Sequence, residues 1–246
     1  MDAYTSFAQV YDLFMDNVPY EEWSDCLGSL LAEYGITEGT VVELGCGTGK
    51  MTRLMAAKGY DMIGVDNSLD MLEIARQDSG EEDILYLLQD MQELELYGSV
   101  SAVYSACDSM NYLLKPEDLR QVFVRTEEYL EPGGLFVFDM NSPYKYRELL
   151  GENTFAETRE ESSFIWENYF DEESQVNEYD LTLFIQEQNG LFRKFEETHF
   201  QRCYEPSVVR TMLEQNGFEI LGICDDYSRT PGREDSERLL FIARKK

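Results

Sequence analysis

The residues whose types and spacing point most directly to chemistry are Val41-Val42-Glu43-Leu44-Gly45-Cys46-Gly47-Thr48-Gly49. An apolar run is followed by three glycines at alternate positions. A segment with Met51, Leu54 and Met55 at helical spacing comes next. A strand–turn–helix of this kind reverses the chain sharply and brings bare backbone against a ligand. The helix that follows begins with N–H groups that have no acceptor inside the helix and can be offered to that ligand. Spacing separates the ligand classes. A dinucleotide turn, G-x-G-x-x-G, needs glycine at position 50, where this chain has Lys50. A phosphate-binding P-loop needs four residues between its glycines and then Lys-Ser/Thr. Here three residues separate Gly45 from Gly49, and Met51 follows Lys50. Both patterns are excluded.

The elements that must hold this turn alternate between strand and helix from Thr40 to Phe138, the mark of a parallel sheet with helices on both faces. Strands are predicted at 40–44, 61–65, 84–88, 100–106 and 135–139. Helices are predicted at 50–58, at 69–77 behind an N-cap at Ser68, and from Pro116 to about 130. The segment before Thr40 is helical in pattern, with Phe7, Val10, Tyr11 and Phe14 on one stripe. After Asn141 the pattern changes to antiparallel strands, predicted at 163–170, 176–186 and 191–204, with a hairpin signal at Asn189-Gly190. A three-stranded sheet of this kind cannot bury both faces alone and must pack on the core or on a partner. Pro206 opens a last helix, and two final strands follow at 218–224 and 238–243.

The form Glu-Leu-Gly-Cys-Gly-Thr-Gly resembles the first motif of class I S-adenosylmethionine (SAM)-dependent methyltransferases. The resemblance is strong over 40–139 and weaker over the last helix and strands. It implies an α/β fold, a doubly wound, Rossmann-like, mostly parallel seven-stranded sheet with an antiparallel β insertion. The core would comprise 1–150 and 206–246, with 1–39 as a helical lid. Residues 151–205 would be the insertion, either a substrate lid or a dimer element. SAM is the implied cofactor. Glu43, Gly45, Cys46 and Gly47 would form its glycine turn, and Asp66 would accept the ribose hydroxyls, with Asn67 and Met71 beside it. Asp90 and Met91 would hold the adenine, and Cys107 would line the transferred methyl. Leu130-Glu131-Pro132-Gly133-Gly134 is a further family feature that speaks for fold alone. Phe7, Tyr11-Asp12 and 20–23 resemble the start of glycine and amino-sugar N-methyltransferases. That likeness implies Tyr11 and Trp23 closing over the methionine end of SAM; plain packing of the helix on the core is the other reading.

The resemblance implies methyl transfer to a nitrogen or oxygen of a small molecule, with nitrogen favoured. Such transfer is an in-line displacement on an already activated methyl group, so the protein's work is positioning, water exclusion and proton removal. Asp108, after the fourth strand, and His199, the sole histidine, are the candidate catalytic groups. Asn111, Tyr112 and Asn141 are weaker candidates. The acidic residues at 157–161 and 196–197 read as solvated strand faces. One histidine excludes a multi-histidine metal site. The five scattered cysteines, without a C-x-x-C pair, argue against zinc or a disulfide framework and fit a reducing compartment. The formal charge of −29 weighs against nucleic acid as substrate. No apolar run is long enough to span a membrane, and no secretory signal opens the chain, so a cytoplasmic enzyme is expected. A homodimer is compatible with the half-covered insertion. A SAM-binding sensor without transfer activity and an RNA methyltransferase are the competing readings.

Overall fold

The computed structural model describes residues 11–80, 82–187 and 189–246. Phe7 and Val10, expected on the N-terminal stripe, lie outside the described residues. In chain order, helices α1 (Tyr11–Phe14) and α2 (Tyr20–Glu33) lead into strand β1 (Thr40–Leu44). Helix α3 (Lys50–Ala56), strand β2 (Asp61–Asp66), helix α4 (Leu69–Asp78) and strand β3 (Leu85–Leu88) follow. Strand β4 (Val100–Ser105), helix α5 (Pro116–Tyr129) and strand β5 (Leu130–Asn141) complete the alternating part. A second sheet follows: β6 (Thr154–Thr158), β7 (Ser162–Asp171), β8 (Val176–Gln186) and β9 (Phe192–Arg202). Helix α6 (Pro206–Gln215) and strands β10 (Phe218–Asp225) and β11 (Arg238–Lys245) close the chain.

The main sheet has seven strands in the order β10-β11-β5-β4-β1-β2-β3, and only β11 runs against the rest. Its central strands are mostly apolar because both faces are covered. On one face Leu119, Val122 and Phe123 of α5 and Val209 and Leu213 of α6 pack against Val42, Val103, Phe136 and Phe138. On the other, Trp23, Leu27, Leu30 and Leu31 of α2 and Met51 and Met55 of α3 pack against Val41, Tyr104 and Val137. The Ser68 hydroxyl caps α4 by accepting from the Met71 N–H at 3.3 Å. Strand β5 begins five residues before the expected start, at Leu130 instead of Leu135. The 132–134 segment does not break the strand. It produces a register shift, with Val100 opposite Leu130 and Ala102 opposite Leu135.

The second sheet has four antiparallel strands, in the order β6-β7-β8-β9, where the sequence pattern suggested three. The extra strand, β6, has a mixed TFAET composition, and its pairing with β7, from Thr154↔Glu167 to Thr158↔Ser163, is a tertiary choice. The turn at 189–190 has Gly190 at φ +78°, and the Asn189 side chain accepts from the Leu191 N–H at 2.8 Å. Part of the apolar face of this sheet is covered by α1. Phe14 packs with Leu181 and Leu183, and its ring meets Phe164 edge-on at 4.9 Å. Between β5 and β6 lies a single turn of π-helix, Lys145–Leu150, which gave no periodic signal. Its Tyr146 hydroxyl donates to Gln201 Oε1 on β9 at 2.9 Å, and Asn141 Nδ2 at the end of β5 donates to the same oxygen at 3.4 Å, which links the second sheet to the first. Among the described residues no helix is long and apolar enough to cross a membrane.

Candidate active site

Strand order reverses between β1, with β2 on one side, and β4, with β5 beyond it. A crevice opens at the carboxyl ends of strands at such a switch point. The cavity there is lined by the glycine turn, the ends of β2 and β4, and the N-terminal helices. Gly45 has φ +70°, and a Cβ placed on it would lie 2.6 Å from the Ser109 hydroxyl oxygen. Both the left-handed backbone and the close approach therefore require glycine at this position. Gly47, at φ +53°, would have nothing within 4 Å of an added Cβ, so bare backbone faces open space at the cavity wall. The turn is clamped from behind. Gly45 and Cys46 N–H donate to the Val65 carbonyl, and Gly47 N–H donates to Asp66 Oδ2 at 2.8 Å.

Asp66 ends β2 with its other oxygen accepting from Ser68 N–H at 2.8 Å. Burial raises its carboxyl above the ordinary value, and the backbone donors of Ser68, Gly47 and Asn67 pull the other way. Glu43 is fully inside. Its Oε2 accepts from the Thr52 hydroxyl and, at 2.9 Å, from Tyr104. Desolvation outweighs these two bonds and pushes its carboxyl up to about 8. Asp90 caps the short 3-10 turn Met91–Glu93 by accepting from Gln92 N–H at 2.8 Å. Cys107 and Asp108 are consecutive left-handed residues, φ 57° and 51°. Strained non-glycine backbone of this kind clusters where a surrounding network over-determines it. Burial pushes the Cys107 thiol well up.

Of the residues expected on the cofactor, Tyr11, Glu43, Gly45, Cys46, Gly47, Asp66, Asn67, Met71, Asp90, Met91 and Cys107 line this cavity. Trp23 does not. Its ring stacks on Tyr227 at 4.4 Å, with the Arg238 guanidinium 5.1 Å from its centroid. The aromatic of α2 that reaches the cavity is Tyr20, at the first helical turn. Trp23, one turn deeper, faces the core. Asp108 is also turned away. Its carboxylate meets Arg238 at 3.0 Å and accepts from Gln201 Nε2 at 2.7 Å. Arg238 also pairs with the buried Asp139, and Asp139 accepts from the Tyr227 hydroxyl at 2.8 Å. This closed network fixes the Asp108 side chain in the wall. Asn111 and Asn141 do not line the cavity: Asn111 Oδ1 accepts from Asn141 N–H at 3.0 Å, and Asn111 Nδ2 donates to the Arg202 carbonyl at 2.9 Å.

His199 lies behind the wall, not on it. Its Nδ1 is 3.3 Å from the Tyr112 hydroxyl, and Tyr112 lines the cavity. Glu197, read from sequence as solvated, is buried with its Oε2 3.4 Å from His199 Nε2. Alternation along β9 turns Glu196 outward and Glu197 inward. The sequence offered no signal for that choice.

Residues 41–134 match the family described as "Methyltransferase domain". A Bacillus subtilis (strain 168) protein named "Putative methyltransferase YqeM" is 35% identical over 98% of this chain and 97% of its own length. The chain belongs to the SAM-dependent methyltransferase family. A solved SAM-dependent methyltransferase from Clostridium acetobutylicum ATCC 824 superposes on it with a TM-score of 0.89. That structure is 28% identical, and the match covers 99% of both chains. A dTDP-3-amino-3,4,6-trideoxy-alpha-D-glucopyranose N,N-dimethyltransferase from Streptomyces venezuelae is 30% identical over 54% of this chain and 56% of its own length.

The methyltransferase's cavity suits its cofactor chemically. Bare glycine backbone admits close approach, Asp66 offers carboxylate oxygen to hydroxyl donors, and Met71, Met91 and Leu113 provide apolar walls for a flat base. Bound SAM supplies a methyl group already activated on a sulfonium sulfur. The protein's own residues then have to place the acceptor, keep water out and receive a proton.

Proposed function

We propose that this methyltransferase transfers its methyl group to the nitrogen of a small amine, with an amino-sugar-type metabolite as the favoured class. The carrying observation is the charge of the cavity wall. Asp66 and Asp90 line it, with Glu43 beside them held largely uncharged near neutral pH by burial, against Lys50 as the cation lining it among the described residues. Lys50 Nζ itself lies 4.7 Å from the Tyr20 ring centroid. An acidic wall with the phenols of Tyr11, Tyr20 and Tyr112 favours a cationic or neutral amine over an anionic acceptor. The N,N-dimethyltransferase relative, which acts on a nucleotide amino sugar by its name, supports the same reading. The net charge of −29 disfavours RNA.

In this reading Asp66 takes the ribose hydroxyls of SAM and Asp90 takes the adenine amine. Residues 154–202, with α1 beneath them, roof the acceptor. The test is formation of S-adenosylhomocysteine from SAM with a panel of small amines, their hydroxyl counterparts and RNA. Turnover is expected with primary or secondary amines and not with RNA. Turnover confined to hydroxyl compounds would refute the nitrogen assignment. SAM binding without turnover on any acceptor would favour the sensor reading.

A further inference from the structure

A second cavity, of about 670 Å³, opens between the turn Lys145–Leu150, the start of α6 and the segment that joins β10 to β11. It shares no lining residue with the cavity at the glycine turn. Its charge is also different. Arg147, Arg210 and Arg233 line it and balance Glu148, Glu205 and Glu234, in a chain whose formal charge is −29. The three arginines stand on three separate segments, so only the folded chain brings them to one place.

Their donors are not used up. Arg147 Nη2 donates to Gln175 Oε1 at 2.8 Å and to Glu205 Oε1 at 3.2 Å, and its Nε stands 3.7 Å from Glu172. Arg233 Nε donates to Asp235 Oδ1 at 2.8 Å, and its Nη2 stands 3.6 Å from Asp225. Among the described residues, Nη1 of Arg147 and Nη1 of Arg233 have no hydrogen-bond acceptor. Arg210 donates no side-chain hydrogen bond within that set and meets Glu214 of its own helix at 3.9 Å. Ser142 lines the same cavity and is 4% exposed. Its hydroxyl accepts from the Lys145 N–H at 3.1 Å and keeps its own O–H to donate. Helix α6 adds the positive end of its dipole at Pro206, and Ile223 and Leu239 supply apolar wall.

We propose that this cavity binds the phosphoryl group of a small organic phosphate. One guanidinium fork is enough for a planar carboxylate. Three guanidinium groups from separate segments, with a buried hydroxyl beside them, suit a tetrahedral group that offers several oxygens and more than one negative charge. The cavity exceeds the size of the anion alone, and the organic part has Ile223 and Leu239 to lie against. The glutamates limit the affinity. Glu205 competes directly, because Arg147 is shared between its carboxylate and the bound anion. The site does not depend on the amine reading of the acceptor, since no group assigned to methyl transfer lines it.

Pyrophosphate titrated into the full chain by calorimetry is the probe. Saturable binding is expected, with an affinity that falls as salt rises. Arg210→Gln removes the guanidinium with the most free donors and should weaken binding about tenfold or more. Glu205→Gln should tighten it, because Arg147 is released; Glu205 makes no side-chain cap bond to α6, so the helix is left undisturbed. Arg120→Gln, at an exposed position of α5 outside the cavity, should change nothing. SAM affinity should stay within about twofold of wild type in all three variants. Absence of saturable pyrophosphate binding would overturn the proposal. So would an equal loss in Arg120→Gln and Arg210→Gln, or competition between pyrophosphate and SAM, which would put the anion at the glycine turn. Kinetics then identify the source of the phosphoryl group. If the acceptor carries it, Arg210→Gln raises KM for phosphorylated amines and not for free amines. If a separate ligand carries it, pyrophosphate alters the turnover of free amines by the wild type and not by Arg210→Gln. If no amine turned over, the acceptor reading would fail, while the calorimetry would still decide the anion site.

Discussion

Glu43 offers a measurement that links the glycine turn to stability. The carboxyl is held at about 8 in the folded protein, against an ordinary value of 4.5, because burial disfavours its charge. The folded state therefore binds this proton more tightly than the unfolded state. Each tenfold difference in proton affinity is worth about 1.4 kcal/mol. The full difference amounts to at most about 5 kcal/mol of stability, present below pH 4.5 and lost as the pH rises through about 8. Glu43→Gln keeps the shape and an oxygen able to accept from Thr52 or Tyr104, but it cannot ionise. The variant should match the wild type near pH 5 and become progressively more stable than it toward pH 9. Urea unfolding followed by tryptophan fluorescence, at half-unit steps without cofactor, measures that difference directly. A stability difference that stays constant across the range would refute the reasoning, because no buried titration would then separate the two proteins.

Replacing Asp66 with alanine removes the acceptor of two backbone N–H groups as well as the expected ribose contact. SAM should bind about 10- to 150-fold more weakly by calorimetry, with a loss of about 1.5–3 kcal/mol, and Asp66→Asn should lose less; unchanged affinity would show that the ribose lies elsewhere. Gly45→Ala forces a Cβ to within 2.6 Å of the Ser109 hydroxyl oxygen at φ +70°. The left-handed backbone alone should cost about 1–2 kcal/mol, lowering Tm by about 2–4 °C for each kcal/mol; a melting point equal to that of the wild type would contradict the geometry.

Much of the architecture was legible because it is written in local patterns. The glycine turn, the N-cap at Ser68 and the apolar runs of β1, β2, β4 and β5 depend on backbone conformation and on two-sided burial, and both leave a periodic or compositional trace. Residue type and spacing alone excluded dinucleotide and P-loop chemistry at Gly45–Gly49. The choices among neighbouring candidates were made by contacts between segments far apart in the chain. Tyr20 and Trp23 share one helix, but only Tyr20 reaches the cavity, because Tyr227 and Arg238 occupy the other ring. Asp108 sits at the ligand edge of β4, yet Arg238, 130 positions on, turns its carboxylate into the wall. Glu196 and Glu197 are the same residue type side by side, and the pairing of β9 with β8 decides which is buried against His199. A sequence records which residues are available and how the backbone turns at each. The direction in which a side chain ends depends on the register and packing of segments that meet only in the folded chain.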